Sequence, residues 1–97
     1  MIEHMVLFKF MESVDAEHPQ KAVQAILDLK SSVPGIIDLS AGLNFADRSQ
    51  GFHVGLVVRL KDREALATYL AHPNHIAVVG AYFKPYLADL IAVDYEI

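Results

Sequence analysis

Tyr69, His72 and His75 stand within one short segment of the chain, Tyr-Leu-Ala-His-Pro-Asn-His. A tyrosine hydroxyl can donate a hydrogen bond to a developing oxyanion, and a neutral imidazole can accept a proton. Pro73 favours the first turn of a helix, so His75 is expected near the positive end of a helix dipole, which disfavours a second proton on its ring. The segment therefore predicts a catalytic pair, with Tyr69 as hydrogen-bond donor and His75 as base.

The same residues also have structural interpretations, which the sequence leaves open. Tyr69 can pack in the core with its hydroxyl bonded to backbone, and His75 can cap a helix. His72 precedes a proline and is expected to cap carbonyl groups of the helix that it ends. His4 lies in an apolar strand, where it is either a hydrogen-bonded core histidine or a residue that lines a pocket.

Other kinds of chemistry have no residues to carry them out. The chain has no cysteine, no His-Glu-x-x-His motif and no glycine-rich phosphate loop, so we expect neither a metal nor a cofactor. Its net charge of −4, without a basic cluster, argues against a nucleic-acid partner. The longest apolar run, from Ile76 to Phe83, is far shorter than the roughly 20 residues of a membrane-spanning helix. The start of the chain has no signal-peptide pattern, so we expect a cytoplasmic protein.

The hydrophobic pattern divides the chain into strands and helices. Strands are predicted over residues 2–11, 36–45, 52–60 and 87–95, and helices over about 18–33, 63–72 and 75–83. Ser13 or Asp15 is expected to cap the first helix and Asp62 the second, while Pro34 and Gly35 end the first. The third helix is apolar nearly all round and is expected to be buried. The order predicts an α+β fold, a ferredoxin-like β-α-β-β-α-β sandwich with a four-stranded antiparallel sheet.

One face of this sheet is left without helices. The side chains predicted on it are largely apolar, with a few polar ones: Met5, Leu7, Met11, His53, Val57 and Arg59. The mean hydropathy of +0.31 is high for so short a chain, because small domains have much surface for their volume. We therefore expect the open face to be covered by the same face of a second subunit, which makes a homodimer.

Several short segments together resemble the stress-responsive A/B barrel (Dabb) domain family. They are His4-Met-Val-Leu-Phe-Lys-Phe, Pro34-Gly-Ile, Gly42-Leu-Asn, the Tyr69 to His75 segment and Val93-Asp-Tyr. The resemblance runs in order over residues 1–97, and Tyr-x-x-His-Pro-x-His is its most specific element. It implies a single domain that pairs as a dimeric α/β barrel, with two sheets packed face to face.

The resemblance also implies a pocket between the helices and the sheet. In the best-understood enzyme of the family, a plant polyketide cyclase, a tyrosine and a histidine of this motif close a ring by aldol condensation, and they correspond to Tyr69 and His75. A histidine on the first strand of that enzyme corresponds to His4. The apolar residues expected to bound the pocket are Val23, Ile26, Leu39 and Leu56.

Three functions are compatible with these residues. The first is binding of a small apolar or aromatic ligand without a reaction, and the second is cofactor-free lyase or cyclase chemistry by Tyr69 and His75. Two departures weaken the second: Val54 stands where the cyclase has a histidine, and Val23 and Ile26 stand where it has aromatic residues. The third, a cofactor-independent monooxygenase-like barrel, is disfavoured because the chain has no tryptophan.

Overall fold

The computed structural model describes residues 1–97 as one α+β unit. The strands are β1 (Ile2–Phe10), β2 (Ile36–Leu43), β3 (Val54–Leu60) and β4 (Leu87–Glu96). The helices are α1 (His18–Leu27), α2 (Leu29–Ser32), α3 (Arg63–Ala71) and α4 (Pro73–Tyr82), followed by a 3₁₀ turn over Lys84–Tyr86. Element order and type agree with the prediction from sequence.

The four strands form one antiparallel sheet in the order β2-β3-β1-β4. β1 and β3 occupy the centre, and their β-branched and aromatic side chains favour the pleated surface. One face packs against the helices through alternate residues of the central strands, among them Val6, Phe8, Val54 and Val58, all buried. This confirms the ferredoxin-like sandwich.

The first helical region departs from the single helix predicted over 18–33. The chain forms α1 and the short α2, which meet at Asp28. The expected caps Ser13 and Asp15 are wrong, because α1 starts after Glu17 and no side chain caps it. Pro19 favours this start. The N–H groups in the first turn of a helix have no partner within the helix, so proline, which has no N–H, is well suited to that turn.

The second helical region follows the sequence more closely. Asp62 caps α3 as predicted, and its carboxylate accepts a hydrogen bond of 2.8 Å from the Ala65 N–H. The prediction that the following helix is buried is wrong, because α4 has no buried residue and its Ile76 is 58% exposed. This helix packs on one side only, where Val78 and Val79 contact the core.

The other face of the sheet carries no helix and exposes a row of large apolar side chains. From β1 these are Met5 and Leu7, and from β4 they are Ile91, Val93 and Tyr95. The sequence predicted the β1 residues on this open face but did not name those of β4. No helix of the structure is long and apolar enough to cross a membrane.

The core is expected to depend strongly on Phe83, which is fully buried against Phe8 and Phe10. We predict that Phe83→Ala lowers the free energy of unfolding by about 3–5 kcal/mol, because it leaves a cavity in a packed interior. Phe45, 98% exposed, is the matched control, and Phe45→Ala should change it by less than about 0.5 kcal/mol in an isolated subunit. Urea denaturation followed by circular dichroism measures both, and equal losses would contradict the assigned core.

Candidate functional site

Tyr69 is the most deeply placed polar residue of the chain. It lies on the inner side of α3, its side chain is fully buried, and its hydroxyl has no hydrogen-bond partner. Burial disfavours the phenolate and raises the pKa of Tyr69 to about 12. The hydroxyl therefore keeps its proton at neutral pH and is available as a donor.

His75 packs against Tyr69, with ring centroids 4.5 Å apart. Its Nδ1 lies 3.1 Å from the carbonyl oxygen of Leu70. A carbonyl oxygen can only accept, so Nδ1 carries the hydrogen, and in the neutral ring Nε2 keeps its lone pair. Burial lowers the pKa of His75, since the charged imidazolium loses hydration there. This lowered pKa agrees with the neutral imidazole expected from the sequence, although its main cause is burial and not the helix dipole.

His4 meets the other side of Tyr69, in an edge-on contact with ring centroids 6.0 Å apart. It projects from β1 toward the helices and is buried, and its Nδ1 is hydrogen-bonded to Oδ1 of Asp94. The two strands place His4 and Asp94 directly opposite each other in the register. Tyr69 thus lies between two imidazoles, and we call Tyr69, His75, His4 and Asp94 the ring cluster.

Asp94 is the member of the ring cluster to which sequence reasoning gave no role. It lies ninety positions from His4 in the chain. The signal that could have found it is the antiparallel pairing of the first and last strands, which places the acidic residue of Val93-Asp94-Tyr95 beside the histidine of β1.

The four apolar residues predicted to bound the pocket are all buried in the core. Val23 and Ile26 come from α1, Leu39 from β2 and Leu56 from β3. They belong to the same packed core cluster as Tyr69. Their role in ligand binding stays a prediction.

The open spaces of the molecule lie beside the ring cluster and not inside it. A cleft of about 600 Å³ separates α1 and α2 from α4, and a cavity of about 320 Å³ lies between α3 and the ends of β1 and β4. Asp94 lines the second cavity, together with Leu66 and Arg63. Tyr69, His75 and His4 line neither space, and the second space meets the ring cluster at the carboxylate of Asp94.

His72 caps the end of α3, as predicted, and also the start of α4. Its backbone N–H donates a hydrogen bond of 3.2 Å to the carbonyl oxygen of Tyr69, and its Nδ1 accepts one of 3.1 Å from the N–H of Asn74. The reason is Pro73, which opens α4 and leaves the next N–H groups in need of an acceptor. No group of three or more His, Cys, Asp or Glu side chains is arranged to hold a metal ion.

Fold and site together define the class of protein: a ferredoxin-like α+β domain with a tyrosine–histidine cluster where its helices meet its sheet. The family model of the stress responsive A/B barrel domain matches residues 2–97, and the chain belongs to this family.

Relatives from bacteria and plants extend this assignment. The chain is 30% identical over 98 residues to an uncharacterized protein of Streptomyces coelicolor, with 99% of each chain covered. It is 30% identical over 96 residues to a stress-response A/B barrel domain-containing protein of Arabidopsis thaliana, covering 98% of this chain and 36% of that protein.

Solved structures share the fold at lower identity. A dimeric ferredoxin-like protein of unknown function from Thermobifida fusca has a TM-score of 0.87 at 24% identity, over 99% of this chain and 90% of that chain. A hydroxynitrile lyase from Passiflora edulis has a TM-score of 0.85 at 14% identity, over 99% and 92%. These likenesses concern the fold alone.

The lowered pKa of His75 makes stability depend on pH. The unfolded chain takes up this proton near pH ~6.5, at a higher pH than the folded chain, so the free energy of unfolding falls as the pH drops below that value. His75→Asn should reduce this fall when urea unfolding at about pH 7.5 and about pH 5.5 is compared.

The control is His72→Asn, which keeps a capping side chain and leaves His75 in place. A nuclear magnetic resonance titration of the imidazole C2 protons should give His75 a midpoint below the ordinary value of ~6.5. A midpoint at or above that value would contradict the half-buried, neutral ring.

Proposed function

We propose that the protein is a homodimer whose subunits each bind a small, mostly apolar ligand at the ring cluster, and that the ligand carries a carbonyl or similar acceptor oxygen. The observation that carries the proposal is the Tyr69 hydroxyl, fully buried and without a partner. A buried hydroxyl that makes no hydrogen bond costs about 1–3 kcal/mol, and natural proteins keep few of them. A ligand oxygen would satisfy it.

The two rings beside Tyr69 support a neutral ligand. The lone pair on Nε2 of His75 can accept a hydrogen bond, while the hydroxyl of Tyr69 donates one. The charge of Asp94 faces His4 and is half exposed at the cavity edge. An apolar molecule with a carbonyl and a nearby donor fits this pair of groups, and small aromatic ketones that carry a hydroxyl group are examples.

The cavity that Asp94 lines is the proposed route of entry. It reaches the ring cluster at the His4–Asp94 contact, where β4 forms the edge of the sheet. The volume of about 320 Å³ is at the lower end of small-molecule sites. Entry beyond the carboxylate requires side chains of the core to move, since Tyr69 is enclosed.

A second candidate function is a cofactor-free lyase or cyclase. The tautomer of His75 favours it, because a lone pair on Nε2 is what a general base needs. In an aldol ring closure, His75 would take a proton from the carbon next to a ketone, and the Tyr69 hydroxyl would stabilise the enolate oxygen. The enolate carbon would form a bond to a second carbonyl of the same substrate, and the proton would return to the new alkoxide.

The open face of the sheet supports the homodimer. Large side chains of β1 and β4 remain between 36% and 49% exposed there, and contiguous apolar surface of this kind marks interaction sites. No helix of the same chain covers these side chains. A second copy would offer the same apolar surface, as a two-fold contact requires.

Tyr69→Phe should have opposite effects on stability and on binding. Without ligand, the variant should be more stable than the wild type by about 1 kcal/mol, because it removes an unsatisfied buried hydroxyl. Affinity for a neutral probe such as 2-hydroxyacetophenone should fall about fivefold to tenfold, because one neutral hydrogen bond is lost. Thermal unfolding and calorimetric titration measure the two quantities, with Tyr82→Phe as the control at an exposed tyrosine.

The same variants separate the binder from the enzyme. Loss of about 10²-fold or more in the turnover of a diketone substrate, in both Tyr69→Phe and His75→Ala, would support the lyase or cyclase. A ligand-free Tyr69→Phe protein that is less stable than the wild type would show that the hydroxyl has a partner, and the proposed ligand site would lose its basis.

Leu7→Asp should dissociate the dimer, because it places a carboxylate on the self-complementary face, where it would be buried near its symmetry mate. Sedimentation or light scattering at micromolar concentration should give a monomer or an aggregate for this variant and a dimer for the wild type. Ile76→Asp, on the exposed side of α4, is the control and should stay dimeric. A wild-type mass near 10.8 kDa would contradict the dimer.

A further inference from the structure

The cavity between α3 and the ends of β1 and β4, the proposed route to the ring cluster, has an unusually charged wall. We call it the entry cavity. Three of its six lining residues are charged, and the full lining is Ile2, Arg63, Leu66, Asp94, Tyr95 and Glu96. One cation and two anions therefore surround the space that a ligand has to pass.

Arg63 is held by Glu96 at the outer end of the entry cavity. Arg63 is the first residue of α3 and Glu96 the last of β4, so their contact joins the helix to the edge strand. Nε of Arg63 donates a hydrogen bond of 2.6 Å to Oε1 of Glu96, and Nη2 forms an ion pair with the same oxygen. The two side chains are 81% and 56% exposed. The single cation of the wall keeps free N–H groups, but its charge is already balanced by an anion of the same wall.

Asp94 lies closer to the ring cluster, with its side chain 44% exposed. Its Oδ1 is hydrogen-bonded to Nδ1 of His4, while its Oδ2 has no hydrogen-bond partner in the chain. A hydroxyl group of a neutral ligand can donate to this free oxygen, whereas a carboxylate has no hydrogen to donate and is repelled by it.

We propose that Glu96 is a specificity-determining residue, which neutralises Arg63 so that the entry cavity selects neutral, hydroxyl-bearing ligands against carboxylates of the same shape. The inference rests on the proposed ligand site and specifies the charge of the ligand that it takes. Glu96 acts through Arg63, so replacing Glu96 should turn the guanidinium into a partner for an anion.

Two ligands of nearly the same shape test the selection by charge. 2-Hydroxyacetophenone and salicylate share the ring and the hydroxyl group, and salicylate has a carboxylate, ionised at neutral pH, in place of the acetyl group. The wild type should bind the ketone at least about tenfold more tightly, because the anion meets an unbalanced carboxylate. Amide chemical shifts of Leu66 and Asp94, followed by nuclear magnetic resonance in an isotope-labelled protein, measure both dissociation constants.

Glu96→Gln should raise the affinity for salicylate about threefold to fivefold and leave that for the ketone unchanged, because it releases the charge of an exposed guanidinium. The gain should shrink in about 0.5 M salt, which screens exposed charges. The matched control is Glu64→Gln. It removes the same charge from the first turn of α3, at an exposed residue that neither lines the entry cavity nor forms an ion pair with Arg63.

The double variant Arg63→Gln with Glu96→Gln tests whether Arg63 is the group that receives the anion. It should lose the gain in salicylate affinity, since no cation then lines the entry cavity. In Glu96→Gln alone, salicylate should shift the Nε–H resonance of Arg63, a change that a merely structural role of Glu96 would not produce. All these side chains are exposed, so the variants should fold, and their amide spectra check this.

The outcomes distinguish the inference from the proposal beneath it. A wild type that does not bind the ketone would overturn the proposed ligand site, and the selection by charge with it. If the ketone binds but salicylate binds equally tightly, or if Glu96→Gln raises salicylate affinity no more than Glu64→Gln does, the ligand site stands and the selection by Glu96 is wrong. A gain that persists in the double variant would overturn the role of Arg63.

Discussion

The structure depends on one constraint: a chain this short has only enough helices to cover one face of its sheet. β1 is apolar toward both faces, and α1, α3 and α4 protect the side that carries Val6, Phe8 and Phe10. The ring cluster lies under this cover, and its burial follows from it. The uncovered side keeps the remaining apolar surface, so the proposed ligand site and the proposed assembly surface lie on the two faces of the same sheet.

Burial also sets the chemical character of the ring cluster. Desolvation acts on Tyr69 and His75 in opposite directions along the pH scale, raising one pKa and lowering the other, and both shifts favour the uncharged form. Two neutral groups, one a donor and one an acceptor, then meet at a ring distance of 4.5 Å. Such a pair would distinguish one ligand from another by the direction of its hydrogen bonds and by its shape more than by its charge.

The sequence predicted the elements well because their signals are local. Alternation located β3, the Asp62 cap located the start of α3, and a proline opened α4. The sequence did not predict the division at Asp28 or the exposure of α4, because both depend on how the helices pack against one another. The pairing of His4 with Asp94 depends on strand order and register, which no local pattern contains. Tyr69 and His75 were predicted as a pair, but the missing partner of the Tyr69 hydroxyl becomes visible only in three dimensions.

The position of Asp94 has a consequence for dynamics. β4 pairs with β1 alone, so its outer edge has no neighbouring strand within the subunit. Edge strands open locally at a lower free energy than central strands, and amide hydrogen exchange reports such openings. Fraying of β4 would separate the carboxylate from His4 while Tyr69 stayed packed on α3. The charge that faces His4 in the ring cluster therefore depends on an edge strand, and any contact that stiffens this edge would also fix the orientation of the His4 imidazole.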